Sequence, residues 1–439
     1  MTTLQELRDL GNSKLVGGDA TAALKVFRLV LEGEPLDFTT RLRIADCLLA
    51  LGETKLAGAV YTAVAVYGIK AGSPLLALVA TKMLTSTYAK VSAGLHHDLA
   101  VVYAKDSPIV GRGARAAPVD LSALVRDDLD LDFAMDDEEL RRTTAQMAAY
   151  TENITNFPDH VPPMPLFSNL GVEAVERVVS VLELRRFDPG ERIVKQGDPG
   201  DAFFIIARGM VRILREDESG ESKELARLGG GSILGEMALL SAEPRAASVD
   251  AESEVDLLVF TRDALAAMTG DLPQVAVLLE RFAMERMVKN LLNTNPFFEP
   301  FDDKQRRDLL GRFEAHKVTA GTIMVRQGET GRGIYLILHG AAEVVKVDGE
   351  KTIRLATLGA GDCFGEIACV QDRPTTAKVT ATKDTTVMFL PKEYFNRLID
   401  AVPELCEYYT NLSVDRLLET KRAAETQRPF VDTDGFIRL

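Results

Sequence analysis

Residues 165–249 of this chain recur at 296–379, at an offset of 131 that becomes 130 after one deletion. Pro165-Leu166-Phe167 aligns with Pro296-Phe297-Phe298, Gly190 with Gly321, Val194 with Val325, Gln196-Gly197 with Gln327-Gly328, and Gly209 with Gly340. Further on, Gly235-Glu236 aligns with Gly365-Glu366, Pro244 with Pro374, and Val249 with Val379. So many glycines and prolines kept in step exceed what shared composition produces, so the chain holds two copies of one domain.

Inside each copy the apolar pattern has the period of strands: Ala202 to Ile206 and Val211 to Leu214 in the first, Gly333 to Leu338 and Glu343 to Val347 in the second. Gly190, Gly197, Gly209, Gly220 and Gly229-Gly230-Gly231 fall where tight connections need positive φ. Each copy is expected to be a small antiparallel β-roll, jelly-roll-like. Helical patterning flanks the rolls over Gly171 to Leu184, Arg262 to Leu292, Asp302 to Phe313 and Lys392 to Arg422.

The N-terminal third has a 3.6-residue period instead, and Gly18-Asp19 recurs 34 residues later as Gly52-Glu53. Ala23, Val26, Phe27 and Val30 reappear as Ala57, Val60, Tyr61 and Val64. Paired helices at this period resemble tetratricopeptide repeats over residues 4–105, with a weaker third unit; a generic helical bundle is the other reading. The fold class is therefore α+β and multidomain, an N-terminal all-α helical repeat followed by two antiparallel β-rolls with flanking helices. The expected divisions are a helical domain at 1–105, an acidic, proline-containing linker at 106–164, rolls at 165–294 and 295–427, and a tail at 428–439. The acidic run Asp127 to Glu139 should be solvated and mobile, with a short helix over Thr143 to Asn153. Residues 1–105 should separate from the rest and bind a protein.

Charge and cysteine usage narrow the function. Lys and Arg number 51 against 65 Asp and Glu, a net charge of −14, which repels nucleic acid and anionic lipid. The four cysteines Cys47, Cys363, Cys369 and Cys406 lack the density or spacing of a disulfide framework or a zinc site, favouring a reducing, cytoplasmic compartment. The apolar stretch Leu56 to Ala80 is broken by Lys70 and Gly72-Ser73-Pro74 into pieces below the roughly 17–25 residues that span a bilayer. The five histidines are scattered, and no GxSxG, HExxH or P-loop string occurs. A non-enzymatic protein with no cofactor, no metal and no nucleic-acid partner is expected.

The string Gly235-Glu236-Met237-Ala238-Leu239-Leu240-Ser241-Ala242-Glu243-Pro244-Arg245-Ala246-Ala247-Ser248 closely resembles the phosphate-binding cassette of cyclic-nucleotide-binding domains. Catabolite activators, kinase regulatory subunits and nucleotide-gated channels share that family. The resemblance implies a cyclic-nucleotide site built from Gly235, Glu236, Met237, Ala238, Arg245, Ala246, Ala247 and Ser248. The chemistry agrees: Glu236 can accept a ribose 2′-hydroxyl, Gly235 allows close backbone approach, and Arg245 offers a planar, bidentate partner to phosphate. Ala246, where cGMP-selective members often carry a hydroxyl, implies cAMP over cGMP. Phe203, Phe204 and Ile213 read as core.

The second copy keeps Gly365, Glu366 and Ile367, but Thr375 stands where Arg245 does, followed by Thr376. A threonine cannot neutralise a phosphate, so this site is expected to be degenerate, a structural or dimerising copy or one with altered ligand choice. Arg373, two residues earlier, is a poor substitute. Phe297 and Phe298 read as core anchors of the second roll, against capping a base in the first.

The leading functional reading is a cAMP receptor that couples occupancy of the first roll to a protein partner through the helical repeats, with a homodimer possible. The alternatives are a regulatory subunit that inhibits a kinase or another enzyme in trans, and a scaffold whose rolls bind nothing. No helix-turn-helix fits after the second roll, and Arg112-Gly113-Ala114-Arg115-Ala116 only faintly resembles a kinase-inhibitory segment.

Overall fold

Helices α1 (Leu4–Val16), α2 (Ala20–Gly33), α3 (Phe38–Ala50), α4 (Thr54–Lys70), α5 (Pro74–Leu84) and α6 (Ala89–Tyr103) lead the chain, each packing on the next. The starts of α1 and α3, and of α2 and α4, are 34 residues apart. Gly18 and Gly52 end α1 and α3 with φ of 83° and 80°, a left-handed turn that glycine adopts without strain. The apolar stretch 56–80 divides between α4 and α5, buried against neighbours, and among the described residues no helix is long and apolar enough to cross a membrane. The computed structural model describes residues 2–113, 119–125, 135–164, 166–216, 221–235, 244–271, 295–349 and 351–426, with scattered residues between 272 and 294.

Residues expected to be linker take part in this helical layer. Strand β1 (Thr2–Thr3) pairs antiparallel with β2 (Leu124–Val125), and Leu121 packs with Leu4, Leu7, Val26 and Val30. Helix α7 (Asp137–Ala149) buries Leu140, Thr144, Ala145 and Ala148 against α2, α3 and α4. The end of the acidic run is thus a helix start rather than a solvated block. Asp136 caps the backbone of Glu138 and Glu139, and the first-turn acids sit at the positive end of the helix dipole. The helix begins earlier than the expected Thr143 and stops at Ala149, where buried Arg41 donates to the carbonyls of Ala148 (2.6 Å) and Tyr150 (2.8 Å). Residues 126–134, which hold the first half of the acidic run, lie outside the described residues.

After α8 (Val172–Val181) the first roll runs β3 (Glu183–Phe187), β4 (Arg192–Val194), β5 (Ala202–Arg208), β6 (Met210–Glu216), β7 (Ser222–Gly229), β8 (Ile233–Leu234), β9 (Ser248–Ala251) and β10 (Val255–Thr261), then α9 (Arg262–Asp271). Its sheets have the orders β3-β10-β5-β8 and β4-β9-β6-β7. The second roll follows α10 (Asp303–Leu310), with β11 (Glu314–Val318), β12 (Ile323–Val325), β13 (Gly333–His339), β14 (Ala342–Asp348), β15 (Lys351–Leu358), β16 (Cys363–Phe364), β17 (Lys378–Ala381) and β18 (Thr385–Pro391). The orders β11-β18-β13-β16 and β12-β17-β14-β15 repeat the first roll strand for strand. Helix α11 (Glu366–Val370) lies between β16 and β17. The single helix expected over 392–422 is two, α12 (Lys392–Ala401) and α13 (Pro403–Thr426), because Pro403 disfavours helical backbone at Val402 and starts a new first turn.

Residues 1–283 form one compact unit and 284–439 a second. Within the first unit the helical region packs on the first roll. One hydrophobic core runs from Phe27 and Tyr61 through Val178 to Phe203 and Phe260. Beside it lies a buried charge network. Arg43 on α3 pairs with Asp46 (2.8 Å) and with Glu254 just before β10. Arg186 on β3 grips Asp46 through two parallel bonds of 2.8 and 2.9 Å and also bonds Asp256 (2.8 Å). Arg208 closes the other side of Asp256 at 2.8 Å, and Tyr61 donates to Asp46 at 2.6 Å.

Burial would push the carboxyls of Asp46 and Asp256 up, but the guanidinium groups around them outweigh it and hold both below the usual aspartate range. Glu254 is displaced the other way, by burial. A depressed carboxyl contributes stability present above its unfolded pKa, about 3.9, and lost as pH falls toward its folded value. The thermal midpoint of residues 1–283 should therefore fall steeply below about pH 4. Circular dichroism melts at about pH 7, 4 and 3 check this, and a midpoint that stays level would contradict it.

Candidate functional site

In both rolls the turn after the second strand docks onto the end of the cassette through the main chain. Gly197 N–H donates to the Arg245 carbonyl (2.9 Å), and Arg245 N–H to the Asp198 carbonyl (2.8 Å). In the second roll Gly328 donates to Thr375 (2.8 Å) and Thr375 to Glu329 (2.9 Å). Gln196 and Gln327 also match, each bridging the backbone of the hairpin end at Glu216 or Val347. Arg245 and Thr375 thus occupy one position.

The Arg245 side chain is only 8% exposed. Its guanidinium lies 5.2 Å over the Phe204 ring and donates to Asp201 at 3.2 Å, while its buried Nε finds no partner among the described residues. Burial lowers its pKa against the pull of Asp201. Gly235, at φ 71°, makes the space: a Cβ there would stand 2.4 Å from Nη1. A desolvated cation with an unsatisfied N–H beside an exposed carboxylate is poised for a better anion, and a phosphodiester would supply it. Asp201 was invisible in the sequence as part of this site because it lies 44 residues from Arg245, on the loop before β5.

The other residues expected at the first site divide. Ala246 is exposed and Ala247 half-buried beside Arg245. Ser248 is buried, and its hydroxyl accepts from the Gln196 N–H (2.9 Å) and from Arg192 (3.3 Å), which spends it on strand packing. Glu236, Met237 and Ala238 lie outside the described residues, as do most of 272–292 and the tail 428–439. Phe203 and Phe204 are core, Phe204 with its ring under Arg245.

In the second roll Gly365 keeps the left-handed turn, at φ 91°. Glu366 is buried and receives a bond from Arg416 of α13 at 2.8 Å, and Arg416 also donates to the Cys363 carbonyl (2.8 Å). Burial would lower the Arg416 pKa, but Glu366 raises it above the usual arginine value. The Thr375 hydroxyl turns away and donates to the carbonyls of Arg326 (2.5 Å) and Glu329 (3.1 Å). Arg373 is exposed on Gln371 and does not replace the missing arginine. Ile367 and Thr376 line, with Glu366, a cavity of about 130 Å³ beneath α13. Phe297 and Phe298 are fully buried; Phe297 stands edge-on to Phe298, Phe313 and Tyr409, and Phe298 lies tilted against Phe313. Arg416 escaped the sequence reading because nothing ties a residue 50 positions downstream to the cassette.

The profile of the cyclic nucleotide-binding domain family matches the chain at residues 184–270 and again at 315–401. The cAMP-dependent protein kinase regulatory subunit of Yarrowia lipolytica is 34% identical over 238 residues, 54% of this chain and 59% of that protein. The type II regulatory subunit of Drosophila melanogaster is 29% identical over 259 residues, 59% of this chain and 63% of that protein. A cGMP-dependent protein kinase of Caenorhabditis briggsae is 28% identical over 57% of this chain and 32% of its own length. The chain thus spans less than two thirds of these relatives. Strand order, turn docking and sequence agree that the chain carries two tandem cyclic-nucleotide-binding domains, one in each roll.

Proposed function

We propose that this chain is a cytosolic, non-catalytic cyclic-nucleotide receptor that takes cAMP in its first roll and passes occupancy to a protein partner through the helical region. The observation that carries the reading is Arg245, a buried guanidinium in the cassette position whose Nε has no partner among the described residues. Phosphate would displace Asp201 and satisfy that N–H. The network from α3 to β10 gives the first roll a stiff connection to the helices, the route by which a change in the cassette can reach a partner. A second reading, a regulatory subunit acting on a kinase in trans, is favoured by the relatives that carry that name.

Calorimetry on the whole chain should find one equivalent of cAMP, because Thr375 leaves the second cassette without a cation for the phosphate. Two equivalents of similar affinity would refute this. Competition should favour cAMP over cGMP, since Ala246 has no hydroxyl for the guanine amino group. Equal displacement by cGMP would count against that preference. Capture of a kinase from lysate, released by cAMP, would favour the second reading.

A further inference from the structure

We propose that the second roll binds an uncharged purine ribonucleoside and excludes its phosphorylated forms. The inference rests on reading the Gly-Glu pair as the ribose acceptor. The cavity beneath α13 is walled by apolar side chains, including Val344, Leu355, Phe364 and Leu412, and among the described residues its lining holds one cation, Arg416. Against that cation stand four carboxylates on the cavity lining, Glu366, Asp362, Asp415 and Glu419. Arg416 is already committed to Glu366, and Thr375 points into the turn at Arg326 and Glu329. A phosphodiester entering here would meet like charge with no partner, whereas an uncharged ligand suffers no such cost.

What remains is suited to a ribose and a base. Arg416 holds one Glu366 carboxylate oxygen at 2.8 Å, and a carboxylate retains acceptor capacity after taking one bond from an arginine. It can accept both hydroxyls of a ribose diol. The apolar wall suits the faces of a flat heterocycle, and the larger purine buries more of it. Thr376 and Thr420 add hydroxyls at the lining, able to donate to or accept from the edge of a base.

The test is calorimetry on the full chain carrying Arg245→Ala, which removes the first roll's phosphate partner and leaves the second roll to be read. Adenosine and guanosine are titrated alongside 2′-deoxyadenosine and cAMP. At least one of the two ribonucleosides should bind with one equivalent, and cAMP at least about 30-fold more weakly. Deoxyadenosine should bind roughly 10- to 100-fold more weakly than adenosine, since it loses a hydroxyl bonded to a charged acceptor. Absence of any nucleoside binding at about 1 mM, cAMP binding as tight as adenosine, or deoxyadenosine equal to adenosine would each overturn the proposal. Failure of the wild-type chain to bind cAMP would sink the first-roll reading and leave these titrations still informative.

Discussion

Arg245→Ala should abolish tight cAMP binding while leaving the unliganded chain as stable as before. Losing one partner of a buried, hydrogen-bonded charge pair costs about 2–5 kcal/mol, which weakens binding roughly 30-fold to several-thousand-fold. The stability half follows from the unliganded geometry. The guanidinium is desolvated, its Nε is unsatisfied among the described residues, and its Asp201 partner is 82% exposed. Such an arrangement contributes little to folding, so truncation removes an unmet demand as much as a contact. Calorimetry and a thermal melt on the same sample separate the two effects. Retained tight binding would refute the site, and a melting point lowered by more than a few degrees would refute the account of its unliganded state.

Asp256→Ala should be the most destabilising single change in the network. Asp256 is fully enclosed between Arg186 and Arg208, and its removal leaves two guanidinium groups facing across a buried gap. Breaking such a pair costs about 3–5 kcal/mol, a fall in melting temperature of roughly 6–20 °C for a unit of this size. Glu32→Ala, which removes the exposed partner of Arg28 on α2, should leave the melting temperature unmoved. If the two variants melt alike, the network is not what joins helices to roll.

The rolls were legible in the sequence because their punctuation is enforced by backbone geometry. Gly209 and Gly340 sit at φ of 93° and 97° with strand backbone pressed against them, and Gln196 and Gln327 each close a hairpin end. Such positions admit few residues, so the repeat survives in the letters. The equivalence of Arg245 and Thr375 was legible for the same reason. The junction of helices and roll was not. Asp46 and Arg186 are 140 residues apart, and Arg43 and Glu254 are 211 apart. Each alone reads as an ordinary surface charge on an amphipathic element. The acidic run misled in a simpler way: four acids in a row announce solvation, yet at Asp136 to Glu139 they are also what a helix N-terminus asks for. Asp201, a loop residue with no pattern around it, could be found only by seeing what lies over Phe204.

The shared main-chain docking of positions 245 and 375 has a consequence for how such domains diversify. The pair of bonds that both rolls share at the turn, 197–198 or 328–329, uses only N–H and carbonyl groups of position 245 or 375, which every residue except proline supplies. Arginine and threonine both fit that backbone, one laying its guanidinium over Phe204 and the other folding back onto the turn. Ligand choice at this position is therefore uncoupled from foldability. A duplicated roll can change what it recognises through single substitutions and stay folded at each step, so new specificities are open to gradual selection.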